Sequence, residues 1–149
     1  VRAVNKKATE VIDLMLIGID ENNSHRRIDN NTPDSAYMPV SVEWVGDCRI
    51  GDVFSIAHYF ERNGDLMADP EMTFLRGPDG KYYPLSYKLD EFGVYREGVR
   101  WIGGEPKYIN MAEQRDEAIF AGTWMENIKT HQFSKNQKKK YLQDIRSKE

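Results

Sequence analysis

The sequence predicts an α+β fold: an N-terminal helix, a five-stranded antiparallel meander, and two C-terminal helices packed on one face of the sheet. Three observations predict it. Apolar residues recur at helical spacing near both ends of the chain but at every second position across its middle. Turn-forming clusters rich in Gly, Asn, Asp and Pro separate the alternating runs. At 149 residues the chain has the length of one ordinary domain. It is read as a single domain, 1–149, with the first helix in 1–20, the sheet in 37–102 and the last helices in 107–146.

Ala8, Val11, Ile12, Met15 and Ile19 fall on one helical stripe, which predicts a helix from Lys7 to Ile19 closed by Gly18 and Asp20-Glu21-Asn22-Asn23. Residues 20–35 are polar, contain Pro33 and show no period, so they read as a loop. Met38, Val40, Val42 and Trp44 then alternate with polar neighbours, as a half-buried strand does. Val53 to Phe60 is a second strand, with Phe54, Ile56, His58 and Phe60 on one face. Arg62-Asn63-Gly64-Asp65 is a tight reversal. Gly77-Pro78-Asp79-Gly80 joins Glu71–Leu75 to Lys81–Leu89 as a hairpin. Asp90-Glu91-Phe92-Gly93 turns into a last strand, Val94 to Ile102, and Gly103-Gly104-Glu105-Pro106 stops the sheet.

Asn110 and Glu113 have the spacing of a capping box, in which each side chain satisfies the other residue's backbone N–H. Ala112, Ile119, Phe120, Thr123, Trp124 and Ile128 follow at helical spacing. Ser134 is placed to cap a final helix to about Ile145, with Tyr141, Leu142 and Ile145 as its apolar edge.

Composition narrows the function classes. Hydrophobic residues make up 40% and charged residues 30%, with a mean hydropathy of −0.70, as in a soluble protein with a modest core. The longest apolar run, Val11 to Ile19, is broken by Asp13 and Gly18 and falls far short of the roughly 20 residues of a membrane span. Acidic and amide residues follow it where a secretory signal needs small ones. The lone Cys48 excludes an intramolecular disulfide and a thiolate zinc cage. The expectation is a cytoplasmic protein without a membrane partner.

Charge is unevenly spread. Residues 34–71 carry eight acidic groups against Arg49 and Arg62, a net −6, whereas residues 127–149 carry seven basic groups against Asp144 and Glu149, a net +5. The acidic stretch offers Asp65, Asp69 and Glu71 to a basic protein partner. The basic end offers Lys135, Lys138, Lys139 and Lys140 to nucleic acid or another anionic partner.

Catalytic signatures are scarce. No glycine-rich phosphate loop, nucleophile elbow or His-Glu-x-x-His zinc motif occurs, and no cofactor is expected. His58 and Glu61 would share a helical face, but on a strand they point apart, so His58 reads as a hydrogen-bonded structural residue. Asp65, Asp69 and Glu71 are candidate oxygen ligands for Mg²⁺ or Ca²⁺, without the loop pattern that identifies such a site. Cys48, in a turn after Gly46-Asp47, reads as an incidental thiol. Tyr82, Tyr83, Tyr87, Phe92, Tyr95 and Trp101 make the later strands aromatic, and core packing is preferred to base stacking for them.

The run Ile56-Ala57-His58-Tyr59-Phe60-Glu61-Arg62-Asn63-Gly64-Asp65-Leu66-Met67-Ala68-Asp69-Pro70-Glu71-Met72-Thr73-Phe74 is followed by Lys81-Tyr82-Tyr83-Pro84-Leu85-Ser86-Tyr87 and Gly93-Val94-Tyr95-Arg96-Glu97. These blocks, across about 37–100, resemble an uncharacterised domain family of bacterial conjugative and phage-like elements, also found within large polyvalent proteins. The resemblance implies a mobile-element accessory protein and assigns no catalytic residue. The leading expectation is a non-enzymatic module that binds a protein partner, such as a host restriction or CRISPR nuclease complex. The alternatives are a nucleic-acid-binding accessory protein using the basic end, and a small metal-dependent hydrolase around His58 and Asp65–Glu71.

Overall fold

A computed structural model describes residues 1–29 and 38–131, without the side chain of His131. It contains α1 (Lys6–Met15), β1 (His25–Ile28), β2 (Val40–Asp47), β3 (Asp52–Arg62), β4 (Asp65–Arg76), β5 (Tyr82–Leu89), a 3₁₀ turn (Asp90–Phe92), β6 (Val94–Glu97), β7 (Val99–Ile102), β8 (Glu105–Ile109) and α2 (Met111–His131). The fold is α+β, but the main sheet has six antiparallel strands in sequential order and β7–β8 form a separate hairpin.

The Asn5 side chain caps α1 by accepting the Ala8 N–H at 2.8 Å, and Ala8, Val11, Ile12 and Met15 are buried as the stripe requires. The helix stops at Met15, earlier than predicted, while Ile19 stays buried beyond it. One reason is Arg26, whose guanidinium donates to the Met15 and Ile17 carbonyls at 2.8 and 2.6 Å and so satisfies chain-end acceptors. Arg26 belongs to β1, which the sequence presents as loop. Ile28 is the sole apolar side chain of that strand, so no alternation announces it, and pairing with β2 from His25↔Glu43 to Ile28↔Val40 holds it in place.

The predicted strand Val94–Ile102 is two strands. At Gly98 the chain leaves one sheet for the other: its N–H donates to the Leu85 carbonyl at 2.9 Å, and its carbonyl accepts the Asn110 N–H at 2.8 Å. Gly103-Gly104-Glu105-Pro106 does not end the strands, since Glu105 and Pro106 open β8. Both glycines have positive φ, 63° and 77°, and turn β7 into β8.

The main core joins α1, one face of the sheet and α2 through residues including Ile12, Met15, Val42, Phe54, Ile56, Met72, Phe74, Trp124 and Met125. Register puts Val53, Leu75 and Tyr83 on the opposite face from Phe54, Phe74 and Pro84. There Leu75, Leu85 and Val99 form a second, smaller cluster, joined by Trp101 and Cys48. The predicted second C-terminal helix and Lys135–Lys140 lie outside the described residues. No described helix is long and apolar enough to cross a membrane.

Candidate functional site

The buried stripe of α2 differs from the predicted one. Gln114, Glu117, Ala118, Ala121, Trp124, Met125 and Ile128 face inward, whereas Ile119 and Phe120 are 56% and 37% exposed. Trp124 anchors the helix. Its indole N–H donates to His58 Nδ1 at 3.2 Å, and the two rings meet edge to face at 5.5 Å. His58 is therefore a hydrogen-bonded structural residue on the helix-covered face. Only half of the expected capping box forms. Asn110 accepts the Glu113 N–H at 3.1 Å, but the Asn110 N–H goes to Gly98, so the Glu113 carboxylate does not reach back.

That carboxylate instead lines a cleft between α2 and the last strands of the main sheet. The cleft encloses about 310 Å³ among Tyr87, Leu89, Val94 and Arg96 on the sheet side and Glu113, Asp116, Glu117 and Phe120 on the helix side. Tyr87 and Phe120 meet edge to face at 5.2 Å as its aromatic end.

Glu117 is the unusual group. It is 4% exposed, and neither carboxylate oxygen accepts a hydrogen bond from the described residues. Burial, and then the neighbouring Glu113 charge, push its pKa up to about 7. The Gly98 amide and Arg96 guanidinium pull weakly the other way. That amide attracts without bonding, since its hydrogen is spent on Leu85. One Glu113 oxygen is also buried and unbonded. Tyr87 is raised by burial and by the charge of Asp69, with Arg96 opposing.

Gly98 makes room for the carboxylate. A Cβ there would lie 2.2 Å from Glu117 Oε2 and 3.2 Å from the Gln114 Cα. In Gly98→Ala the flexible carboxylate must swing out while the helix backbone yields slightly, which costs about 1–3 kcal/mol. Urea unfolding at acid and alkaline pH checks this: the variant should be less stable and show less pH dependence. An undiminished pH dependence would contradict this placement of Glu117.

The acidic residues singled out in the sequence do not converge. Asp65 is exposed at the β3–β4 turn. Glu71 pairs with Ala57 in the sheet and accepts the Tyr59 hydroxyl at 2.6 Å; burial and then this bond raise the Tyr59 pKa. The Asp69 charge is instead felt by Tyr87, and Asp69 does not line the cleft. No group of three or more His, Cys, Asp or Glu among the described residues is placed to hold a metal ion. The aromatic strands also divide. Tyr82 is fully buried and donates to Asp13 at 2.6 Å, but Phe92 and Tyr95 are 73% and 59% exposed, against the expectation of core packing.

Sequence reasoning missed Glu117, Arg96 and Gly98. The available signal was a carboxylate at helical spacing with Gln114, Ala121 and Trp124, once the stripe is drawn through the small residues.

Comparison with known proteins places the chain in a family. Residues 7–134 match the model of a family described as a domain of unknown function, DUF6908, and the chain belongs to it. The match extends beyond residues 37–100 to take in α2 and all of α1 but its first residue, Lys6. No curated protein and no solved structure matches the chain.

Proposed function

We propose that this DUF6908 domain is a binding module for a protein partner and takes a basic side chain of that partner between Glu113 and Glu117. The buried, unbonded Glu117 carboxylate carries the reading. Desolvating a carboxylate without a partner costs stability that a glutamine or an apolar residue would not. The cost is recovered when a cation enters and makes charge-assisted hydrogen bonds to those oxygens. The finer reading is an accessory protein of a mobile element that inhibits a host restriction or CRISPR nuclease. Its support is the sequence resemblance, together with the match between an acidic cleft and the basic surfaces with which nucleases hold nucleic acid. The separation of Asp65, Asp69 and Glu71 gives a hydrolase no matching support.

Affinity capture from nuclease-treated bacterial lysate tests the reading, with the wild-type chain beside the Glu113→Gln/Glu117→Gln double variant. A defined protein partner should persist after nuclease treatment and bind the variant about 10–100-fold more weakly, the loss expected for charge-assisted hydrogen bonds. Equal capture by both proteins would contradict it. Partners that vanish with nuclease would favour nucleic-acid binding through Lys135, Lys138, Lys139 and Lys140.

A further inference from the structure

The cleft lies at an edge of the main sheet. β6 is the terminal strand and is hydrogen-bonded to β5 alone, from Ser86↔Glu97 to Leu89↔Val94. No described segment pairs with its outer edge. Register places Arg96 beside Tyr87 and Val94 beside Leu89, and all four side chains form the sheet wall of the cleft opposite Glu113, Asp116 and Glu117. A strand added beside β6 would therefore present every second side chain to the acidic wall of α2, because strand side chains alternate between faces.

We propose that the partner segment is an extended basic peptide that adds to the outer edge of β6 and points alternate arginine or lysine side chains at Glu113 and Glu117. The proposal rests on the cleft reading above and adds to it the backbone conformation and register of the ligand. Main-chain pairing supplies affinity that is blind to sequence, while the pocket for alternate side chains supplies selectivity. Charge complementarity fixes the chemistry: the helix wall carries three carboxylates against a single sheet-side cation, Arg96. Two exposed aromatics flank this edge, Phe92 in the turn before β6 and Tyr95 within it, where a bound strand would cover apolar surface. The strand is short and carries Arg96 and Glu97, features that limit indiscriminate edge pairing.

Arg96 is the internal competitor for the carboxylates. It makes no ion pair within 4.0 Å among the described residues, yet its charge is felt by Glu117. Arg96→Ala should accordingly strengthen basic-peptide binding severalfold.

The test titrates the full chain with synthetic peptides alternating arginine and threonine. Two further versions are N-methylated, one on every arginine and the other on every threonine. In a paired strand the N–H groups facing β6 all belong to one of these two sets. One methylated peptide should therefore lose about tenfold or more in affinity while the other keeps it. The β6 amides Val94–Glu97 should also gain hydrogen-exchange protection with the unmodified peptide. Equal affinity of the two methylated peptides, or no added protection in β6, would overturn strand addition. If Glu113→Gln/Glu117→Gln binds the unmodified peptide as tightly as the wild type does, the cleft reading itself fails, and this proposal with it.

Discussion

Glu117→Gln should raise the thermal midpoint near pH 8 by about 5 °C and leave it almost unchanged near pH 4. The carboxyl is buried without a hydrogen-bond partner among the described residues, and its pKa is pushed up to about 7 from an ordinary value of 4.5. Between those two values the folded chain holds a proton that the unfolded chain has released. Stability then falls as pH rises through this window, because the folded state binds more protons. The contribution is fully present below the unfolded value and is lost above the folded one. The shift corresponds to about 1–3 kcal/mol once screening at the cleft mouth is allowed for. Glutamine keeps the shape and removes the charge, so it recovers that amount only where the carboxylate would be ionised. Calorimetry at the two pH values checks this. Equal midpoints for variant and wild type near pH 8 would mean that solvent reaches the carboxylate.

Trp124→Ala should be the most destabilising single change on α2, costing about 3–5 kcal/mol. Trp124 is 5% exposed in the core and hydrogen-bonds His58. Its ring lies 6.0 Å from Phe120, so the same residue supports the aromatic end of the cleft. Trp124→Phe keeps most of the apolar contact and loses the indole N–H, which limits the cost to about 1–2 kcal/mol. Chemical denaturation of both variants separates packing from hydrogen bonding. If Trp124→Phe is as damaging as Trp124→Ala, the bond to His58, not burial, holds the helix to the sheet. If neither matters, α2 is docked by other residues.

Local signals announced most of the frame. The α1 stripe, the alternation of Val40, Val42 and Trp44, and the turns at Asn63-Gly64 and Gly77–Gly80 reflect constraints within a few residues of chain. β1 escaped because it is held by backbone pairing and by Arg26, neither of which leaves a periodic trace. The break at Gly98 escaped because its neighbours, Glu97 and Val99, each suit a strand, and only tertiary hydrogen bonds to Leu85 and Asn110 separate β6 from β7. β8 was obscured by Pro106, a residue that demotes a strand assignment. The cleft depends on bringing residues 87–96 against 113–120, and that juxtaposition is set by packing. Its one local clue was Glu117 at a core position of α2.

The most direct test is a carbon-13 NMR titration of the Glu117 side-chain carboxyl, with and without the alternating arginine–threonine peptide. A midpoint near 7 is expected for the protein alone, falling toward ordinary carboxylate values with the peptide bound, because a nearby cation favours the ionised form. A Glu117 that titrates like an exposed carboxylate, with a midpoint indifferent to the peptide, would contradict it.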